Sequence, residues 1–142
     1  MNHWPEVRDK PGLLRRMMAE FVGGRLSLEG NLQRCAFPED LVIAREESGL
    51  LLRHTAWPRQ GFVVLPLGTD TDPAVLKGIM AAGLKRAIIH VQIERDDALQ
   101  LGAYDHFHPE CTLTGPGVGA ALLAELHLTG MLRGFRVATN TP

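Results

Sequence analysis

Between residues 89 and 104 apolar and polar side chains alternate, and that period of two constrains the fold more than any other feature. Ile89, Val91 and Ile93 alternate with His90, Gln92 and Glu94, while Leu99, Leu101 and Ala103 alternate with Gln100, Gly102 and Tyr104. Such alternation marks strands with one face against a core. The short join Arg95-Asp96-Asp97-Ala98 makes them a hairpin. Parity then bears on the turn. If Ile93 is to share a face with Leu99 or Leu101, an odd-length loop is expected, most simply three residues.

Similar patterns recur upstream. Leu26 and Leu28 alternate with Ser27 and Glu29, and Gly30-Asn31 reads as a turn before a strand at 32–37. Apolar stretches at 41–45 and 50–54 flank Glu46-Glu47-Ser48-Gly49, which suggests another hairpin. The run at 61–67 has no polar face, as in a strand buried on both sides.

Helical spacing appears three times. Pro11 suits a first turn, and Leu14, Met17, Met18, Phe21 and Val22 form a stripe stopped by Gly23-Gly24. Thr69-Asp70-Thr71-Asp72-Pro73 supplies capping side chains for a helix at 73–82 ended by Gly83. It lacks the acidic spacing of a calcium loop. A third helix is expected at 118–129, with Val118, Ala121, Leu122 and Leu126 inward. Gly115-Pro116-Gly117-Val118-Gly119 has no Lys-Ser/Thr after it, so it starts that helix and is no phosphate loop. The chain therefore reads as a single α+β domain over 1–142, with 1–9 and 137–142 less ordered. A largely antiparallel, hairpin-connected sheet of seven or eight strands would carry three packed helices.

Fifteen basic and sixteen acidic residues leave a formal charge of −1, which argues against nucleic-acid binding. Arg15-Arg16 and Lys85-Arg86 read as solvated edges. Apolar runs are broken far short of a membrane span, and nothing at the start resembles a secretory signal. With only Cys35 and Cys111, reduced thiols in a cytoplasm are the expectation, a bridge between them being the alternative.

Chemistry is concentrated in Tyr-Asp-His-Phe-His-Pro-Glu-Cys at 104–111. If the second strand continues, Tyr104, His106 and His108 share the face of His90, with Asp105 and Phe107 on the other. His106, His108 and Cys111 would then offer imidazole and thiolate to zinc, with His90 or Cys35 completing the set. An acid–base pair inside the motif has poor geometry, because Asp105 faces away from His106. A nucleophilic Cys111 has no supporting local pattern. The plainer expectation is a strand end locked by side-chain hydrogen bonds.

No complete catalytic constellation emerges. The sequence favours a small non-catalytic cytoplasmic interaction module, an accessory protein like a bacterial immunity or inhibitor protein, with another protein as partner and self-association left open. The expected contact residues are Trp57, Arg59, Tyr104, Asp105, His106 and His108. The alternative is a metal-binding protein or small metal-dependent hydrolase built on His106, His108, Cys111 and His90, with zinc as its cofactor.

Overall fold

A computed structural model describes residues 2–138. The chain runs β1 (His3–Val7), α1 (Lys10–Glu20), β2 (Arg25–Gly30), β3 (Gly61–Pro66), α2 (Asp72–Ala82), β4 (Ile88–Arg95), β5 (Ala98–Ala103), β6 (Thr112–Thr114), α3 (Ala120–Leu128) and β7 (Leu132–Val137). The strands form one antiparallel sheet in the order β3-β2-β4-β5-β6-β1-β7. The fold is α+β, with seven strands and three α-helices among the described residues.

The helices form where the sequence allows. Asp9 caps α1, its Oδ1 accepting the Gly12 N–H at 2.9 Å, and Pro11 occupies the first turn. Leu13, Leu14, Met17 and Met18 are buried along it, whereas Val22 falls outside the stripe and is exposed. In α3, Leu123 and Leu126 face inward and Ala121 does not. All three helices pack on one face of the sheet. Across that face run two rows, Leu65–Leu26–Ile93–Leu101 and Val63–Leu28–Val91–Ala103, which join the helices in a continuous apolar core.

Seven or eight strands were expected, but not these seven. The stretches at 32–37, 41–45 and 50–54 are not strands of the sheet. Residues 31–60 instead run as one long connection with a single 3₁₀ turn, Glu39–Leu41. In their place stand β1 and β6. The first nine residues, expected to be less ordered, hold β1, which lies between β6 and β7. Of the 137–142 tail, residues 139–142 lie outside the described residues.

The hairpin also corrects its expected turn. Arg95 pairs with Ala98, so the loop has two residues, Asp96 and Asp97, at φ 56° and 58°. Two successive left-handed residues give the turn whose twist suits a hairpin, and aspartate tolerates that conformation better than most side chains. Parity is restored by a bulge between Ile93 and Glu94. Ile93 opposes Leu101 on the helix face, while Leu99 opposes Glu94 and packs with Leu51, Phe62 and Val64 on the other. A second bulge, between Glu29 and Gly30, accompanies burial of Ile88 in the core, with Ile89 only half-buried.

Candidate functional site

The face of the sheet away from the helices is covered by the later part of the 31–60 connection, from Ala44 onward, and polar side chains of the strands hold it there. Leu32, Phe37, Leu41 and Val42 instead pack against the core on the helix side. Arg25 donates to Ser48 Oγ at 2.8 Å and pairs with Glu94. Glu94 Oε2 accepts the Leu50 N–H at 3.0 Å, and Gln92 Nε2 donates to the Leu52 carbonyl at 2.7 Å. Glu29 is 1% exposed, and its two carboxylate oxygens accept the N–H groups of His54 (2.7 Å) and Thr55 (3.2 Å). A buried carboxylate is tolerated when both oxygens are so engaged. The held segment alternates like a strand, with Leu51, Arg53 and Thr55 turned inward and Leu50, Leu52, His54 and Ala56 exposed. Its backbone is anchored by side chains where a strand would use a neighbouring strand.

At the end of this clamp sits a cluster of His54, Thr55, His90 and Tyr104. The His54 and Tyr104 rings lie 4.0 Å apart between centroids, and the His90 ring is 5.7 Å from Tyr104 and 6.0 Å from His54. His90 Nδ1 accepts the Asp105 N–H at 3.1 Å, so the neutral ring carries its proton on Nε2 and donates it to Thr55 Oγ1, 2.8 Å away. Burial holds the His90 pKa below its ordinary value against the pull of Glu29 and Asp105. Burial also raises the Tyr104 phenol, which stays a donor. Gly102 gives the tyrosine its place, since a Cβ there would come within 2.7 Å of the phenol oxygen. With both nitrogens of His90 occupied, the cluster presents no free imidazole base on that residue.

The second strand stops at Ala103, and the expected common face for Tyr104, His106 and His108 is not formed. Asp105, His106 and Phe107 all take left-handed backbone, at φ 51°, 57° and 62°. Each such residue costs on the order of 1–2 kcal/mol. Offsetting this, Phe107 enters the core at 3% exposure, and burying such a ring contributes about 1.5–3 kcal/mol. The His106 N–H also donates to the Ile89 carbonyl at 2.8 Å, and the His108 N–H to the Tyr104 carbonyl at 3.2 Å.

That turn disperses the expected zinc set. His106 Nδ1 lies 3.4 Å from the Leu84 carbonyl, and His108 Nδ1 accepts the Glu110 N–H at 3.1 Å, capping a short 3₁₀ turn, Pro109–Cys111. His90 is committed to Asp105 and Thr55. Among the described residues no three His, Cys, Asp or Glu side chains are grouped to hold a metal ion. Cys35 and Cys111 are both free thiols, and burial raises the Cys35 pKa.

The other expected contact residues lie on the covering connection. Trp57 is 86% exposed. Arg59 pairs with Glu46 Oε2 at 3.0 Å, and Glu46 is also reached by Arg53. Beside Tyr104, sequence reasoning missed Glu29, His54 and Thr55. The period-two pattern of 50–56 was the one available signal for the last two. No helix among the described residues is long and apolar enough to cross a membrane. No family model, curated protein or solved structure matches the chain.

Proposed function

We propose that this chain is a non-catalytic binding module that docks another protein through the outer surface of its 31–60 connection, with Trp57 as the anchor. The observation that carries this reading is an indole left 86% exposed on a segment whose neighbouring residues are clamped from beneath. Indole is the side chain most often found at interface hot spots, and a clamped segment loses little freedom on binding. Ile43, Leu50 and Leu52 are also large, apolar and exposed on this connection. An accessory protein that blocks or supports its partner, as immunity and inhibitor proteins do, would work in this way. Arg59 and the Tyr104–Asp105 end of the His90 cluster supply polar contacts around the anchor.

Quantitative capture with wild-type and Trp57→Ala baits, followed by reconstitution with the purified captured protein, tests the proposal. The variant is expected to bind at least thirtyfold more weakly, the hot-spot range, while its Tm stays within about 2 °C of wild type, as expected for an exposed site. Equal affinity would overturn the reading. So would a large fall in Tm, which would make Trp57 structural.

A further inference from the structure

Between the start of α1 and the end of α2 lies a cleft of about 550 Å³, on the helix side of the sheet and apart from the Trp57 surface. Pro11, Met80, Ala82 and Leu84 line it with apolar surface. Four cations, Arg8, Lys10, Lys85 and Arg86, also line it, against one carboxylate, Asp9. Asp9 is turned back on its own helix, where it accepts the Gly12 N–H. None of the four cations forms an ion pair among the described residues. A chain of net charge −1 thus gathers like charges around one hollow. A second hollow of about 350 Å³, lined by Asn31, Arg34, Ala82, Arg86 and Ala87, adjoins it through Ala82 and Arg86 and adds a fifth cation.

The wall that carries Lys85 and Arg86 is unusual backbone. Residues Gly83–Ala87 form a π turn between α2 and β4, a rare conformation that is frequent at functional sites. Leu84 is buried, so the turn is pinned near its start, while Lys85 and Arg86 remain exposed. His106, from the left-handed turn after β5, meets the Leu84 carbonyl from the other side.

We infer that this cleft binds an amphiphilic phosphate monoester, with its apolar body on Met80, Leu84 and Pro11 and its phosphate among Arg8, Lys10, Lys85 and Arg86. The volume is that of a small-molecule site. A phosphate monoester carries close to two charges at neutral pH, which suits a cleft lined by four cations better than a carboxylate does. An apolar floor distinguishes this ligand from a bare anion or a nucleic-acid backbone.

Calorimetric titration of the full chain with octyl phosphate, below its micelle-forming concentration, tests the inference, with inorganic phosphate and octyl glucoside as comparison ligands. Octyl phosphate is expected to bind one to one, and both comparison ligands at least tenfold more weakly. Lys85→Glu/Arg86→Glu should weaken octyl phosphate at least tenfold. Arg8→Glu, on a different element, should do the same if the double variant fails to fold. Trp57→Ala should leave the affinity unchanged, which separates this site from the proposed protein-binding surface. Sedimentation with phosphatidic-acid vesicles then assigns the source, a lipid headgroup if the protein co-sediments and a free molecule if it does not. Absence of octyl phosphate binding overturns the inference, as does unchanged affinity in the charge-reversed variants. Equal binding of inorganic phosphate would reduce the site to a bare anion hollow and also overturn it.

Discussion

The two faces of the sheet are covered by different physics. Helices cover one through continuous apolar contact, with Ile93, Leu26 and Val91 meeting Met17, Met18 and Ile79 in a single core. Residues 44–60, which form no strand of the sheet, cover most of the other, and their contact is largely polar. Glu29, Gln92 and Glu94 each reach up to a backbone group of residues 50–55, and Leu51, Phe62 and Val64, with Ala44 and Leu99 against them, form a small apolar cluster beneath. Apolar contact is non-directional and tolerates repacking. Polar side chains bonded to chosen backbone groups fix one register and leave the outer side chains exposed. The first face builds the domain and the second presents a surface.

That contrast breaks if both faces respond alike to truncation. Ile93→Ala should show the largest effect, about 2–5 kcal/mol of unfolding free energy, because a fully buried side chain leaves a cavity in packed surroundings. Chemical denaturation checks it, and every probe should shift together. Glu29→Ala should cost less, about 1–3 kcal/mol for the N–H groups of His54 and Thr55 left without acceptors. Its signature should be local. Amide exchange should rise at residues 50–56 by more than it rises in α1. Uniform acceleration across the chain would mean that Glu29 supports the core directly and the two faces are not separable.

The difference also explains what the sequence reveals. Helix-face strands were legible because burial against helices imposes a period of two or 3.6 on residue types, which is why α1, α2, β2, β3 and the β4–β5 hairpin lie near their expected places. The 32–37, 41–45 and 50–54 stretches carry enough apolar residues to resemble strands, yet their backbone partners are local turns and side chains distant in sequence, with one backbone bridge, from Ile43 and Ala44 to Val64 of β3. Periodicity has no access to that choice. The bulge at Ile93/Glu94 was hidden for a related reason. Alternation survives a bulge if the turn changes length with it, so Asp96-Asp97 and an unpaired residue compensate silently. In the 104–111 motif the alternation of residue types pointed to a strand, while three consecutive left-handed residues rotate His106 and His108 apart. Burial of Phe107 favours that turn, and a single phenylalanine in a polar segment gave no sign of it.

Gly102→Ala probes the presenting face more gently. A Cβ at residue 102 would crowd the far end of the Tyr104 ring, which can swing outward without disturbing the strand. A loss of about 1 kcal/mol is expected, within the range for small overpacking. The ring stack of Tyr104 on His54 should be lost, seen as a change in the aromatic proton shifts of both residues. Preserved shifts together with a destabilisation of several kcal/mol would place the strain in the strand itself.

The smallest effect appears as a slope with pH. His90 is packed among Glu29, Asp105, His54, His106 and Tyr104, and burial outweighs the two carboxylates in lowering its pKa. The folded state therefore binds this proton less readily than the unfolded chain, whose histidines titrate near about 6.5. His90 leaves stability intact above that value, and stability is lost as pH falls from it through the lower folded pKa. The local consequence follows from the tautomer. A proton on Nδ1 replaces the acceptor of the Asp105 N–H with a second donor, and the left-handed turn loses one of the bonds that offset its strain. Tm should fall more steeply between pH 7.5 and 5.5 in the wild type than in His90→Gln, with amide exchange at Asp105 and His106 rising first. Parallel Tm profiles for the two proteins would show that His90 does not couple protonation to this turn, and that the presenting face is held by Glu29, Gln92 and Glu94 alone.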